Sequence, residues 1–230
     1  MKHSDGGHPP RDRPVAIWYS QAMNESPASQ LTASPRLFKN DLLDKLSRVD
    51  PRLPLIVYGP IVLALIVWAA WHGTPAWIIA GCFVLGYAIW TLTEYLGHRF
   101  LFHTVFPGKI GARFHFLLHG VHHDHPNDPL RLVMPLLMSG PIMAIAVLVT
   151  WTIFPQVMQV PALAGFIAGY VAYDTVHYLL HHSRSQNATF LWLKRLHMLH
   201  HFTDHSRCFG VAAPWWDYVF RTEWRKPSRS

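Results

Sequence analysis

Eleven of the chain's 17 histidines fall into four tight clusters. They are His98 and His103 in HRFLFH, His119, His122 and His123 in HGVHH, His177, His181 and His182 in HYLLHH, and His197, His200 and His201 in HMLHH. Neutral imidazole is the commonest protein ligand for transition metals. On an α-helix, residues i, i+3 and i+4 lie on one face. His119, His122 and His123 obey that rule, as do His197, His200 and His201, and the pair His177 and His181. Three helical segments can therefore each aim imidazoles at a common point. His98 and His103 are five apart, about 140° around an ideal helix. They either flank a helix end or serve different metals. His182, beside His181, is expected to orient a ligand or to close the site. His3, His8, His72, His115, His125 and His205 stand outside these patterns and carry no metal expectation.

Ten imidazoles are too many for one ion, since a zinc takes about four ligands. They suit two ions at about five each, with room for oxygen or water. Helical bundles hold di-metal centres in this way with carboxylates, and here histidine replaces nearly all of them. Two acids lie within the apolar stretches. Glu94 is four residues before His98, and Asp174 is three before His177. Both spacings would let a carboxylate accept the second ring N–H of a ligating imidazole.

The elements that must position these residues are membrane-length. Half of the residues are hydrophobic and 14% are charged, against about 25% charged in an ordinary soluble domain. Residues 53–97 and 132–183 contain no Lys or Arg, so all 20 basic residues lie in the three remaining segments. A soluble helical protein would scatter them over every exposed face. Four spans are expected, at about Leu53–Trp71, Ala76–Gly97, Leu132–Phe154 and Pro161–His182, with Pro135 and Pro141 kinking the start of the third. Each is close to the roughly 20 residues that cross hydrocarbon. The connectors His72–Pro75 and Pro155–Val160 lack basic residues. The positive-inside rule then places both termini, the 98–131 loop and all four clusters in the cytoplasm.

Residues 1–35, rich in Pro, Ser, Asp and Gly, are expected to be a poorly ordered tail. In 36–52, Leu37, Phe38, Leu42, Leu43, Leu46 and Val49 form one helical stripe, which fits an amphipathic helix on the membrane or one packed on the protein body. Cys82 and Cys208 are too differently placed to suggest a disulfide framework. The formal charge of +7 reads as positive-inside bias and contact with anionic lipid, not as nucleic-acid binding, because no recognition module is visible. Nothing in the sequence singles out a head-group contact among Arg99, Arg131 and Lys194.

The stretches EYLGHRFLFH (94–103), HFLLHGVHHDHPNDPLRLVMP (115–135), YDTVHYLLHH (173–182), LKRLHMLHHF (193–202) and FGVAAPWWDYVFRT (209–222) resemble the membrane-bound fatty acid hydroxylase and sterol desaturase superfamily, closest to its fatty acid 2-hydroxylase branch. PRLFKNDLLDKLSRV (35–49) is similar to that family's pre-membrane segment. The resemblance implies an all-α integral membrane protein, with four transmembrane helices under a cytoplasmic, histidine-rich di-metal cap formed by 98–131 and 183–230. It implies O2-dependent hydroxylation of a lipid acyl chain. Carried over motif by motif, the metal ligands would be His98, His103, His119, His122, His123, His177, His181, His197, His200 and His201, with His182, Glu94 and Asp174 as supporting residues.

Hydroxylating an unactivated C–H bond with O2 requires a redox metal, so two iron ions are expected, although the same imidazoles would accept zinc. No haem-binding domain, iron–sulfur spacing or dinucleotide fingerprint is visible, and the fused cytochrome b5 domain of fungal and animal 2-hydroxylases is missing from this sequence. A separate electron donor of cytochrome b5 or ferredoxin type is therefore expected. It would be steered by Lys194, Arg195, Arg207, Arg221, Arg225 and Lys226. The expected location is a bacterial inner membrane or the endoplasmic reticulum. Two alternatives stay open: another oxygenase of the superfamily, acting as a desaturase or on a sterol, carotenoid or lipid head group, and a non-enzymatic metal transporter or sensor.

Overall fold

The computed structural model describes residues 27–225. Among them the chain is all helix, with no strand. The α-helices are α1 (Pro27–Thr32), α2 (Asp41–Leu46), α3 (Leu53–Trp71), α4 (Ala76–Leu96), α5 (Gly108–His115), α6 (Val121–Asp124), α7 (Leu136–Ile153), α8 (Gln156–His182), α9 (Ala188–Phe202) and α10 (Trp215–Val219). Two π-helices, Gly97–Phe102 and Phe116–Gly120, extend α4 and join α5 to α6.

Proline marks the start of every long apolar helix. Pro54 lies in the first turn of α3, and Pro75, Pro135 and Pro155 are the N-caps of α4, α7 and α8. At a helix start proline loses no hydrogen bond, and its φ is already helical. Pro135 thus begins the third apolar helix four residues later than the sequence reading has it, and only Pro141 lies inside. Gly73, at φ +78°, makes the turn between α3 and α4 that a residue with a Cβ would resist.

Among the described residues three helices are long and apolar enough to cross a membrane: Leu53–Trp71, the continuous α4 and π-helix Ala76–Phe102, and Leu136–Ile153. Their large apolar side chains face outward, with Leu63, Trp71, Trp77 and Leu148 all more than half exposed. Helices apolar all round and uncovered belong in lipid. The 27-residue α8 is their opposite. It is the buried centre of the bundle, packed on α4, α3 and α7. Tyr58, Trp90, Met143, Leu163, Ile167, Tyr170 and Tyr173 form the core around it, with the Tyr58 hydroxyl 2.9 Å from Ser139 Oγ. Small residues let α4 and α8 approach. A Cβ at Gly86 would stand 1.9 Å from the Ala162 carbonyl oxygen, and one at Gly165 1.9 Å from that of Phe83.

The pre-membrane segment differs from its sequence reading. Asn40 caps Leu43 N–H, and the helix runs only from Asp41 to Leu46. Leu37 and Val49 lie outside it and are buried, while Leu42, Leu43 and Leu46 are exposed, so the stripe divides. The segment is a strap on the cap. Val49 N–H donates to Leu130 O at 2.8 Å and Asn127 N–H to Leu31 O at 2.9 Å. Buried Arg131 faces Asp128 at 3.4 Å and Asp44 at 3.7 Å and donates to Pro35 O. Arg131 is thus tied inside the cap and does not reach head groups. Of the expected disordered tail, residues 1–26 lie outside the described residues, and Pro27–Thr32 is helical.

Candidate metal centre

The ends of α4 and α8 deliver four of the ten imidazoles, and the α5–α6 arm and α9 deliver the other six. They converge in two groups of five. The first holds His98, His103, His119, His123 and His200; the second holds His122, His177, His181, His197 and His201. Within each group the ligand atoms lie within 4.8 Å of one another.

Each HxxHH motif divides between the groups. His119 and His123 face the first while His122 faces the second; His197 and His201 face the second while His200 faces the first. Residues i and i+4 share one site and i+3 crosses to the neighbour. His98 and His103 fall in the same group, with Nε2 atoms 3.2 Å apart. The π-helix explains this: its i→i+5 bonding brings side chains five apart onto one face, and His103 caps its end. The two groups touch, with His123 stacked on His201 at 4.3 Å between ring centroids.

The donor chemistry tests whether metal fits. In the first group Nε2···Nε2 separations are 3.1 Å (His98–His119), 3.2 Å (His98–His103), 3.0 Å (His103–His200) and 3.0 Å (His119–His123). In the second they are 3.0 Å (His122–His177), 2.8 Å (His181–His197) and 3.1 Å (His197–His201). Two donors at a bond length of about 2.1 Å and a right angle would be about 3.0 Å apart; tetrahedral angles would give about 3.4 Å. The tautomers agree. His98 Nδ1 lies 2.6 Å from Phe209 O and His200 Nδ1 2.7 Å from Arg207 O. A carbonyl only accepts, so both Nδ1 atoms carry the proton and both Nε2 atoms present lone pairs. His103 Nε2 sits between them and can donate to only one. A cation removes that repulsion.

Burial keeps the cap imidazoles neutral, as ligation requires. His119, His122, His197, His200 and His201 are held well below the usual histidine range, by desolvation first and by neighbouring histidines second. Half-buried His103 is lowered to about 3 by the same causes.

The supporting acids bond elsewhere than their spacing suggests. Glu94 Oε1 accepts from Ala212 N–H at 2.8 Å, because the Phe209 carbonyl already takes the His98 N–H. Asp174 Oδ2 accepts from Met134 N–H at 3.2 Å, and His177 Nδ1 is buried without a partner among the described residues. His182 joins neither group and stacks on Tyr178. His72 bonds Trp68 O at 2.8 Å and His125 bonds Gln30 O at 2.6 Å, both away from the centre. His205 lies at the rim, its ring 4.9 Å from that of His123; His3 and His8 are outside the described residues. Sequence reasoning missed the backbone carbonyls of Arg207 and Phe209, which carry no side-chain signature.

Outward-facing apolar helices beneath two adjoining five-histidine pockets define a class: helical membrane proteins able to hold two metal ions. Residues 83–222 match the profile of the fatty acid hydroxylase family. The chain is 36% identical to the dihydroceramide fatty acyl 2-hydroxylase FAH2 of Arabidopsis thaliana, covering 82% of this chain and 79% of that one. It is 33% identical to the fatty acid 2-hydroxylase of Homo sapiens, covering 84% and 57%. A solved structure of full-length scs7p, in which only the hydroxylase domain is visible, superposes with a TM-score of 0.78 at 33% identity, over 84% of this chain and 74% of that one. The chain belongs to the fatty acid hydroxylase family and is an oxidoreductase.

Proposed function

We propose that this protein hydroxylates the acyl chain of a membrane lipid, at the carbon beside the acyl carbonyl, using O2 and electrons from a separate carrier. The observation that carries the reading is the pair of adjoining five-histidine groups. Bound there, two redox-active ions, iron by the chemistry the reaction demands, would supply O2 activation; zinc fits the same donors but has no redox chemistry. The protein's own residues do the rest. His98, His119, His123, His200 and His103 hold one ion, and His122, His177, His181, His197 and His201 the other. All ten histidines come from the helical arms over the bundle or from helix ends, so the reacting carbon meets the centre where lipid gives way to cap. Burial of most of these imidazoles excludes water.

In this reading α8 is the fourth span, and its polar residues face its neighbours instead of lipid. The cap, both termini and the centre lie on the cytoplasmic side. The names of the plant and human relatives favour a fatty-acyl substrate and position 2. A carrier of cytochrome b5 or ferredoxin type would dock on the cap. Its steering is weaker than the sequence alone implies, since Arg207 pairs with Asp204 and Arg225 with Glu223, while Lys194 donates to Ser183 O. Lys226 lies outside the described residues.

Lipid analysis of cells expressing the chain tests the reading. The expected product is an acyl chain heavier by one oxygen atom, lost in His122→Ala. A chain lighter by two hydrogens would show desaturation instead, and unchanged lipids with a loaded, reduced enzyme would refute acyl oxidation.

A further inference from the structure

The carbonyls that orient His98 and His200 belong to one short segment, and that segment hangs on a single buried carboxylate. Asp217, on α10, is 3% exposed. Its Oδ1 accepts from Phe209 N–H at 2.9 Å and from Thr222 Oγ1–H at 2.7 Å; its Oδ2 accepts from Gly210 N–H at 2.9 Å. Cys208 N–H donates to Thr222 O at 2.9 Å, and the Tyr95 hydroxyl lies 2.8 Å from Thr222 Oγ1, tying the clasp to α4. The clasp is tight: a Cβ on Gly210 would lie 2.5 Å from Ala213 O and 3.0 Å from Asp217 Oδ2. It also holds Cys208 at φ 57° and Arg221 at φ 58°, conformations that residues with a Cβ adopt only when their surroundings impose them.

The clasp serves one group. Both imidazoles it orients, His98 and His200, belong to the first group, and the Phe209 ring also packs against His98, His103 and His200. In the second group, Nδ1 of His122, His177, His181, His197 and His201 has no partner among the described residues. We propose that Asp217 is a positioning residue for one metal site only: through the Phe209 and Arg207 carbonyls it fixes the tautomer and direction of His98 and His200, and so sets the affinity of the first group while leaving the second untouched. The inference rests on the two-ion reading above. Asparagine cannot replace the carboxylate, because its NH2 would face a backbone N–H where an oxygen now accepts. Partners of ligating histidines commonly change metal affinity by about 10–100-fold.

The test counts zinc in the purified full-length chain, by elemental analysis during titration with a chelator, so it needs no turnover. Wild type should hold two ions. Asp217→Asn should release its first ion at roughly 10–100-fold lower chelator and its second at the wild-type concentration. At a chelator concentration that strips only the first ion from Asp217→Asn, adding His98→Ala should lower the stoichiometry no further, whereas adding His177→Ala should bring it toward none. If Asp217→Asn does not fold, Thr222→Val removes one of the three bonds to the carboxylate and should weaken the same ion selectively. Both ions held as in wild type, or both weakened equally in a folded variant, overturns the inference. A wild-type chain that holds fewer than two ions when zinc is in excess overturns the two-ion reading beneath it.

Discussion

The two histidine groups are built to one plan and supported by two. Each takes a pair of imidazoles from the end of a long bundle helix, an i and i+4 pair from an HxxHH motif, and one crossing residue from the other motif. The helix ends differ. The first group depends on a π-helix to bring residues five apart together, and two of its imidazoles, His98 and His200, lean on the carbonyls of a C-terminal loop. The second uses regular α-helix spacing on α8, the most buried element, and its orientation comes from packing instead of from hydrogen bonds. Equivalent donor sets can therefore be held by directional bonds or by close packing. The two should fail differently.

The crossing residues give the strongest test. His200→Ala and His122→Ala should each abolish turnover while the protein still inserts in membranes. The comparison makes a sharper demand: His200→Ala should weaken the ion shared with His98, and His122→Ala the one shared with His177, each opposite to its own motif partners. Spectroscopy of singly loaded protein that assigned His200 to the His197 and His201 ion would break the scheme. His72→Ala, on the connector, should be silent.

Next in size is the packing that supports the second group. Gly165→Ala would force a Cβ into the Phe83 carbonyl and should cost at least about 1–3 kcal/mol of bundle stability, since backbone must move. Denaturation of the variant at wild-type stability would show that α4 and α8 are not locked as described.

A smaller effect, common to both groups, depends on pH. In the metal-free chain the half-buried His103 is depressed to about 3 from an ordinary 6.5. Below 6.5 the unfolded chain takes up a proton that the folded one refuses, so stability falls as pH drops toward 3 and is flat above 6.5. The fully buried imidazoles act in the same direction. Melting temperatures of metal-free protein that rise on acidification would contradict this. The smallest effect belongs to Glu94→Gln. The amide keeps an oxygen for Ala212 N–H, so both ions should remain bound; loss of one would show that the charge itself matters.

Much of this architecture was legible in the chain. Lys and Arg are absent from α3, α4, α7 and α8, and the four histidine clusters contain the ten imidazoles that meet, six of them in HxxHH motifs. What spacing could not say is how they divide. The rule that i, i+3 and i+4 share a face predicted one target per motif, whereas a second acceptor lies just round the helix and takes the i+3 residue. The His98–His103 pair is discordant on an ideal α-helix; of its two readings the helix-end one holds, since His103 caps the π-helix and both imidazoles join one group. The acids misled for a different reason. Their spacing to histidine was right, but backbone N–H groups from residues far along the chain reached them first. The pattern puts Leu37 and Val49 on an amphipathic stripe, whereas the strap that contains them packs on the cap and buries both.

The glycine contacts between α4 and α8 have a mechanical consequence. The two helices that carry the four helix-end imidazoles are joined backbone to backbone, and α4, like α3 and α7, also presents apolar residues outward. When the host bilayer thickens or thins, the lipid-facing helices tilt to match it, and a tilt of α4 carries α8 with it. The spacing between the two helix-end histidine pairs is then kept by the α4–α8 contact itself.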